Sequence, residues 1–256
     1  MNDLARPAPA APPVVARDWA LFLDLDGTLL DIAARPDLVQ APRGLARCLT
    51  GLADALSGRL AVVSGRRVEV IERLLAPYRP AAAGLHGAEY RMHPGGALER
   101  VPAPSGLIEA RRRFRAMAMR LPGTLLEDKG LCLALHFRTA PDLAEKVGAA
   151  VERFRRRLPP AFEVIGAKMA YELRPRGLHK GLAMQRFMAL AGWRGARPVF
   201  VGDDRTDEDG FACARALGGI AIGVGIEPAG ACFRLADPAS VRNWLARSLE
   251  DLAEDR

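Results

Sequence analysis

Two aspartates one residue apart end an apolar segment near the start of the chain, in ALFLDLDGTLL (20–30). The carboxylates of Asp24 and Asp26 repel each other, so a cation, a reaction or a polar turn must account for the pair. The turn that begins at Gly27 lets both side chains reach one cavity. One carboxylate can then attack phosphorus while the other, with a raised pKa, protonates the departing oxygen. The alternative is that the two aspartates only end a strand and begin a turn.

Two further segments offer groups that bind anions. In VVSGRR (62–67), Ser64 and Gly65 stand where a strand passes into a helix, and free N–H groups there form an anion site together with the serine hydroxyl. The alternative for Ser64 is a helix N-cap. Lys180 opens a predicted helix in HKG (179–181), where Gly181 permits close backbone approach. The alternative for Lys180 is a solvated side chain.

A third segment, VGDDRTDEDGF (201–211), is rich in carboxylates. Helix capping by Thr206, with acids in the first turn, accounts for residues 207–209. It does not account for Asp203 and Asp204, which end a strand of the buried type. Oxygen ligands gathered at a phosphate site suit Mg²⁺, which binds few carboxylates and keeps several waters.

The elements that position these groups follow from the apolar pattern. Apolar strands at 19–26, 59–65, 197–204 and 219–225 alternate with amphipathic helical segments. This alternation predicts an α/β fold with a Rossmann-like parallel sheet that is covered on both faces. In such sheets the active site lies at the carboxyl ends of the strands, where all these motifs stand.

The middle of the chain has a different pattern. Short strands and helices follow one another there, and in KMAYELR (168–174) Lys168, Glu172 and Arg174 share the face opposite Met169 and Leu173. We expect an inserted α+β unit with an antiparallel sheet, apolar towards its helices and charged on the other face. The predicted domains are a disordered Pro/Ala-rich leader at 1–17, a core at 18–106 and 176–256, and a cap at 107–175.

In this order, DLDGT, VVSGR, HKG and VGDDRTDED resemble the motifs of the haloacid dehalogenase-like superfamily of aspartate-nucleophile phosphatases. Within it, GLHGAEYR (84–91), GDDRTDED (202–209), EDKG (127–130) and KMAYELRPRGLHKG (168–181) resemble trehalose-6-phosphate phosphatases. The resemblance implies Asp24 as nucleophile, Asp26 as general acid and base, and Ser64 and Lys180 as holders of the phosphoryl group. It implies Mg²⁺ bound by Asp24, the Asp26 carbonyl and Asp203. The remaining expected site residues are Gly65, Arg66, Glu127, Lys129, Arg138, Lys168 and Glu172 for substrate, with Asp204 and Asp207 in support.

The expected function is therefore Mg²⁺-dependent hydrolysis of trehalose 6-phosphate through an aspartyl-phosphate. A related phosphatase for sucrose 6-phosphate or mannosyl-3-phosphoglycerate would carry the same core motifs, and only the cap residues favour trehalose. A non-catalytic sugar-phosphate sensor is a further alternative, although a sensor has no need of an intact nucleophile. A solvated charged sheet face is the alternative for the cap residues. We expect His136 to be a polar core residue, and His86 has no assigned role.

Composition limits the other classes of partner. The chain has 256 residues and a net charge of +7, but its basic residues form no dense run, so we expect no nucleic-acid partner. The longest uncharged apolar run, 216–226, is too short to span a bilayer. Four scattered cysteines fit a reducing compartment, and the cytoplasm is the expected location. The sequence does not fix the oligomeric state, and a monomer is compatible with it.

Overall fold

The computed structural model describes residues 11–167, 169–225 and 229–254. Its strands are β1 (Trp19–Leu23), β2 (Leu60–Val63), β3 (Ala81–Gly84), β4 (Glu89–Arg91), β5 (Glu99–Arg100), β6 (Leu125–Asp128), β7 (Leu133–His136), β8 (Phe162–Ala167), β9 (Ala170–Pro175), β10 (Arg197–Gly202), β11 (Ile220–Val224) and β12 (Phe233–Leu235). Its α-helices are α1 (Leu45–Ala55), α2 (Val68–Leu75), α3 (Leu107–Ala118), α4 (Ala144–Arg155), α5 (Lys180–Met188), α6 (Glu208–Ala216) and α7 (Pro238–Glu254).

The larger sheet has eight strands in the order β12-β11-β10-β1-β2-β3-β4-β5. Pairing is parallel from β12 to β3 and antiparallel for β4 and β5. β1 is buried along its whole length because helices cover both faces of the sheet. Side chains of α1, α2 and α7 pack on one face and those of α5 and α6 on the other. The predicted α/β fold with a parallel-sheet core is confirmed.

A second sheet of four strands, in the order β6-β7-β9-β8, is antiparallel throughout. One face packs on α3 and α4 through a core that includes Phe114, Leu135 and Val147. The register aligns Glu127, Ala134 and Glu172 across β6, β7 and β9, so these three side chains share the opposite face. We call the unit formed by α3, α4 and β6–β9 the cap; its exact boundaries stay a prediction.

The end of the predicted leader differs from expectation. Val15 is buried, its amide donates to Ser248 Oγ, and Trp244 Nε1 donates to the carbonyl of Pro13. Residues 13–17 therefore pack on α7. The composition of the leader, rich in Pro and Ala, did not indicate that Val15 joins the apolar core. Residues 1–10 of the leader lie outside the described residues. Among those described, every helix is too short or too polar to traverse a lipid bilayer.

Candidate active site

Asp24 follows β1 at the carboxyl edge of the parallel sheet. Its amide donates to the Val201 carbonyl on β10, and the residue is 4% exposed. Lys180 Nζ lies 2.6 Å from Asp24 Oδ1. Burial and the nearby charge of Asp207 raise the pKa of Asp24 to about 7, although Lys180 opposes that shift. A carboxylate in this position is held by an ammonium group and shielded from water.

Lys180 is the first residue of α5 and bridges two buried carboxylates. Its Nζ also lies 2.6 Å from Asp207 Oδ1, and the side chain is 3% exposed. Burial lowers the pKa of Lys180, but the charges of Asp207 and Asp24 outweigh burial and raise it. The alternative of a solvated lysine is therefore wrong, and Lys180 is a fixed positive charge beside Asp24.

Asp207 does more than the predicted helix capping. It has no exposed surface, and its Oδ2 accepts hydrogen bonds from the amides of Asp203 and Asp204, at 3.1 and 3.0 Å. Asp204 caps the short 3₁₀ helix Arg205–Asp207 that leads into α6, and its side chain accepts from the amide of Arg205, so the prediction of Thr206 as the cap is wrong. Asp207 thus ties Lys180 to the turn that carries Asp203.

Oxygen atoms of Asp24, Asp203 and Asp207 lie within 4.8 Å of one another. Both Asp207 oxygens already accept hydrogen bonds, as described above, which leaves Asp24 and Asp203 as the carboxylates that suit a divalent cation. Asp203 Oδ1 also accepts from Thr28 Oγ1 at 3.2 Å. At Gly27, with φ at +82°, an added Cβ would stand 2.1 Å from Asp203 Oδ2, so only glycine fits there. This set of hard oxygen donors fits Mg²⁺.

The side chain of Asp26 is bound by an arginine. Arg66 Nε and Nη2 donate to Asp26 Oδ2 and Oδ1 at 2.5 and 2.6 Å, in a two-pronged contact. Arg66 Nη1 also donates to the Pro36 carbonyl. Burial lowers the pKa of Arg66, but its bonds to Asp26 outweigh burial and raise it. Arg66, predicted to bind substrate, instead contacts Asp26 in this structure.

Ser64 directly follows β2 and is 2% exposed. Its Oγ accepts from the amide of Arg66 at 3.2 Å. α2 begins only at Val68, with Arg67 as its N-cap residue, so the alternative of Ser64 as the helix cap is wrong. Ser64 and Gly65 both line the cleft with Asp24.

The cap supplies the other wall of this cleft. Glu172 is 4% exposed, and its Oε2 lies 3.5 Å from Lys129 Nζ, which also donates to the Gly65 carbonyl at 3.0 Å. Burial raises the pKa of Glu172, but Lys129 and His86 outweigh it and lower the pKa to about 2. Glu127 and Arg138 line the same cleft. The alternative of a solvated face is wrong for Glu172; Lys168 lies outside the described residues.

Two histidines of the cleft were not assigned to it from sequence. His86 Nε2 lies 3.3 Å from Glu172 Oε2, and His136 Nε2 lies 2.9 Å from Glu127 Oε2. His136 lines the cleft, so the expectation of a polar core residue is wrong. The alternation in LCLALHFR could have indicated this position, because it places His136 on the face opposite the apolar side chains of Leu133 and Leu135. No comparable pattern in the sequence indicates the contact between His86 and Glu172.

The chain is similar to known proteins over most of its length. The trehalose-phosphatase family profile matches residues 22–231. The trehalose-6-phosphate phosphatase of Escherichia coli is 36% identical over 95% of this chain and 91% of its own length. A probable trehalose-phosphate phosphatase of Sinorhizobium fredii is 38% identical over 81% of this chain and 78% of its own. A solved structure of a trehalose-6-phosphate phosphatase related protein superposes with a TM-score of 0.75 at 26% identity, covering 92% of this chain and 99% of that one.

Proposed function

The chain belongs to the trehalose-phosphatase family and is a phosphatase, and we propose that it hydrolyses trehalose 6-phosphate to trehalose and phosphate through an aspartyl-phosphate on Asp24. The observation that carries the proposal is a single cleft with two chemically different walls. Asp24, Lys180 and Ser64 form the core wall, while Glu127 and Glu172 belong to the cap wall. A phosphate ester at one end and a polyhydroxyl sugar at the other match these two walls.

In the first step, an oxygen of Asp24 attacks phosphorus, and the sugar oxygen leaves with a proton from Asp26. Lys180 keeps Asp24 oriented through the 2.6 Å contact and offsets the negative charge of the phosphoryl group. Arg66 donates hydrogen bonds to both Asp26 oxygens in the structure, so we expect at least one of these bonds to open for the proton transfer. A phosphate oxygen is a suitable new partner for the guanidinium, in keeping with the predicted role of Arg66.

In the second step, Asp26, now ionised, takes a proton from water as that water attacks the aspartyl-phosphate. Phosphate leaves and Asp24 is restored. Mg²⁺ held by Asp24, the Asp26 carbonyl and Asp203 would supply positive charge to the phosphoryl oxygens. Ser64, which directly follows β2, would hold one of those oxygens.

The cap selects the sugar in this proposal. Carboxylates and ammonium groups are good partners for sugar hydroxyls, and Glu127, Lys129 and Glu172 present them on the cap side of the cleft. Because these residues belong to the cap and not to the core that carries Asp24, their binding energy would serve to orient the ester and exclude water. The intact Asp24 and Lys180 pair speaks against a non-catalytic sensor. We also infer a cytoplasmic location, which four free cysteines support.

Replacing Glu172 tests the sugar assignment. Glu172→Ala should lower kcat/KM for trehalose 6-phosphate at least about tenfold. Hydrolysis of p-nitrophenyl phosphate, which has no sugar, should change little. The matched control is Glu163→Ala on the neighbouring β8, because Glu163 pairs with Arg174 at 2.8 Å and does not line the cleft. Equal losses on both esters would give Glu172 a structural role, and no loss on either would remove the cap argument for trehalose.

A further inference from the structure

His86 occupies an unusual place between core and cap. It lies on the turn after β3 with φ at +57°, directly after Leu85 at +50°. Left-handed backbone at a residue other than glycine is strained and persists where surrounding contacts enforce it. The amide of His86 donates to the Ser64 carbonyl at 3.1 Å, and the residue is 4% exposed. The turn therefore fixes the imidazole against the loop that follows β2.

Gly65 accommodates the same imidazole. A Cβ at Gly65 would stand 2.8 Å from His86 Nε2, which is closer than a real Cβ comes to another atom. The absence of a side chain at residue 65 therefore lets the ring reach past the loop to the cap. There its Nε2 lies 3.3 Å from Glu172 Oε2, across 86 residues of sequence.

Glu172 needs donors because it is buried and ionised. Lys129 provides one at 3.5 Å from within the cap, where the Cys132 thiol also contacts the carboxylate, and His86 provides one from the core at 3.3 Å. Burial lowers the pKa of His86, which favours a neutral ring. A neutral ring can donate to the carboxylate only if its proton is on Nε2, with Nδ1 left as an acceptor.

We propose that His86 is a positioning residue for sugar recognition, whose Nε2–H holds the Glu172 carboxylate at the sugar end of the cleft. Recognition by the cap then depends on the core loop beside Ser64 and Gly65, so the carboxylate is in place only when cap and core are in contact. The inference rests on the proposed role of Glu172 in binding the sugar. His86 itself touches neither the phosphate nor the nucleophile in this account.

The first test reads the tautomer of His86 in the wild-type protein and needs no substrate. The chain has four histidines, so long-range ¹H–¹⁵N spectra are simple to assign with a His86→Gln variant. At neutral pH the proposal predicts a proton on Nε2 of His86. A neutral ring that is protonated on Nδ1 alone overturns the proposal, because it would turn a lone pair towards the carboxylate.

The second test asks whether His86 acts through Glu172. His86→Ala should lower kcat/KM for trehalose 6-phosphate at least about tenfold and leave p-nitrophenyl phosphate within about twofold. In a Glu172→Ala background the same change should cost less than about twofold more, since the partner is already absent. His86→Gln, which keeps a donor, should recover most of the loss. The matched control is the exposed His93, whose replacement by Ala should change neither ester.

Additive losses in the double variant, or an equal loss on p-nitrophenyl phosphate, would overturn the positioning role. Failure of the proposed function has a different signature: the wild type would prefer another sugar phosphate. The single and double variants of His86 and Glu172 are then compared on that preferred ester. The non-additivity of their losses and the tautomer of His86 still decide the role of His86.

Discussion

Asp24 and Asp207 bind the same ammonium group, yet their replacement by Asn should have opposite effects on stability. Asp207 has no exposed surface and accepts three hydrogen bonds, from Lys180 and from the amides of Asp203 and Asp204. Asn offers one oxygen and one NH₂ group, so in either orientation the NH₂ group faces a donor. Asp24 accepts one hydrogen bond from Lys180, which an amide oxygen can also accept.

The expected magnitudes follow from these contacts. Each buried donor left unsatisfied costs about 1–3 kcal/mol, so Asp207→Asn should lower the free energy of unfolding by about 2–4 kcal/mol after the loss of one buried charge offsets part of the cost. The pKa of Asp24 is raised to about 7 in the folded protein, so ionising this carboxyl group destabilises the fold. Its contribution to the free energy of unfolding therefore falls as the pH rises from about 4 through 7. Asp24→Asn should therefore be as stable as wild type or more stable at pH 8, and inactive.

Urea unfolding of the three proteins at pH 8 measures this difference. Excess chelator is needed because a cation bound by Asp24 would stabilise the wild type alone. Asp207→Asn should have the lowest midpoint of the three. A free energy of unfolding for Asp207→Asn within about 1 kcal/mol of wild type, or a lower one for Asp24→Asn than for Asp207→Asn, would contradict this expectation.

Three further results are expected. Glu172→Gln should remove an acid-sensitive part of the stability, because the lowered pKa of Glu172 stabilises the fold above about pH 4.5 and this effect is lost as the pH falls towards 2. The urea midpoints of wild type and variant should therefore converge in acid, and a constant gap would contradict this. Asp203→Ala should raise the Mg²⁺ concentration needed for half-maximal turnover, whereas the exposed Asp209→Ala should leave it unchanged and cost about 1 kcal/mol of stability; equal metal titrations would argue against Asp203 as a ligand. Asp26→Asn should still release about one equivalent of p-nitrophenol per enzyme from p-nitrophenyl phosphate, whose leaving group needs no acid, and then stall because no base activates water; steady release at the wild-type rate would exclude this role.

The sequence predicted the core of the site because its geometry follows from local patterns. Apolar runs in parallel strands place the residues after them at one edge, so Asp24, Ser64 and Asp203 could be expected together. Lys180 followed from its motif and the helix that it opens. The alternation in β9 likewise placed Glu172 on the face opposite the cap helices.

The contacts that the sequence did not reveal depend on the register between distant segments. Asp207 has a sufficient local explanation as a helix-turn acid, and its buried bond to Lys180 spans 27 residues. The His86–Glu172 contact requires the core turn and the cap strand to meet, which neither segment specifies alone. The packing of Val15 on α7 likewise depends on a helix more than 200 residues away.

The most direct test of the account is a competition between two isomeric disaccharide esters. Equal concentrations of trehalose 6-phosphate and sucrose 6-phosphate are mixed with the protein and Mg²⁺, and the anomeric proton signals of released trehalose and sucrose are followed by NMR. The ratio of the initial rates equals the ratio of kcat/KM for the two esters. The account predicts trehalose release at least about tenfold faster, a difference of about 1.4 kcal/mol in transition-state binding. Equal rates, or faster release of sucrose, would contradict it.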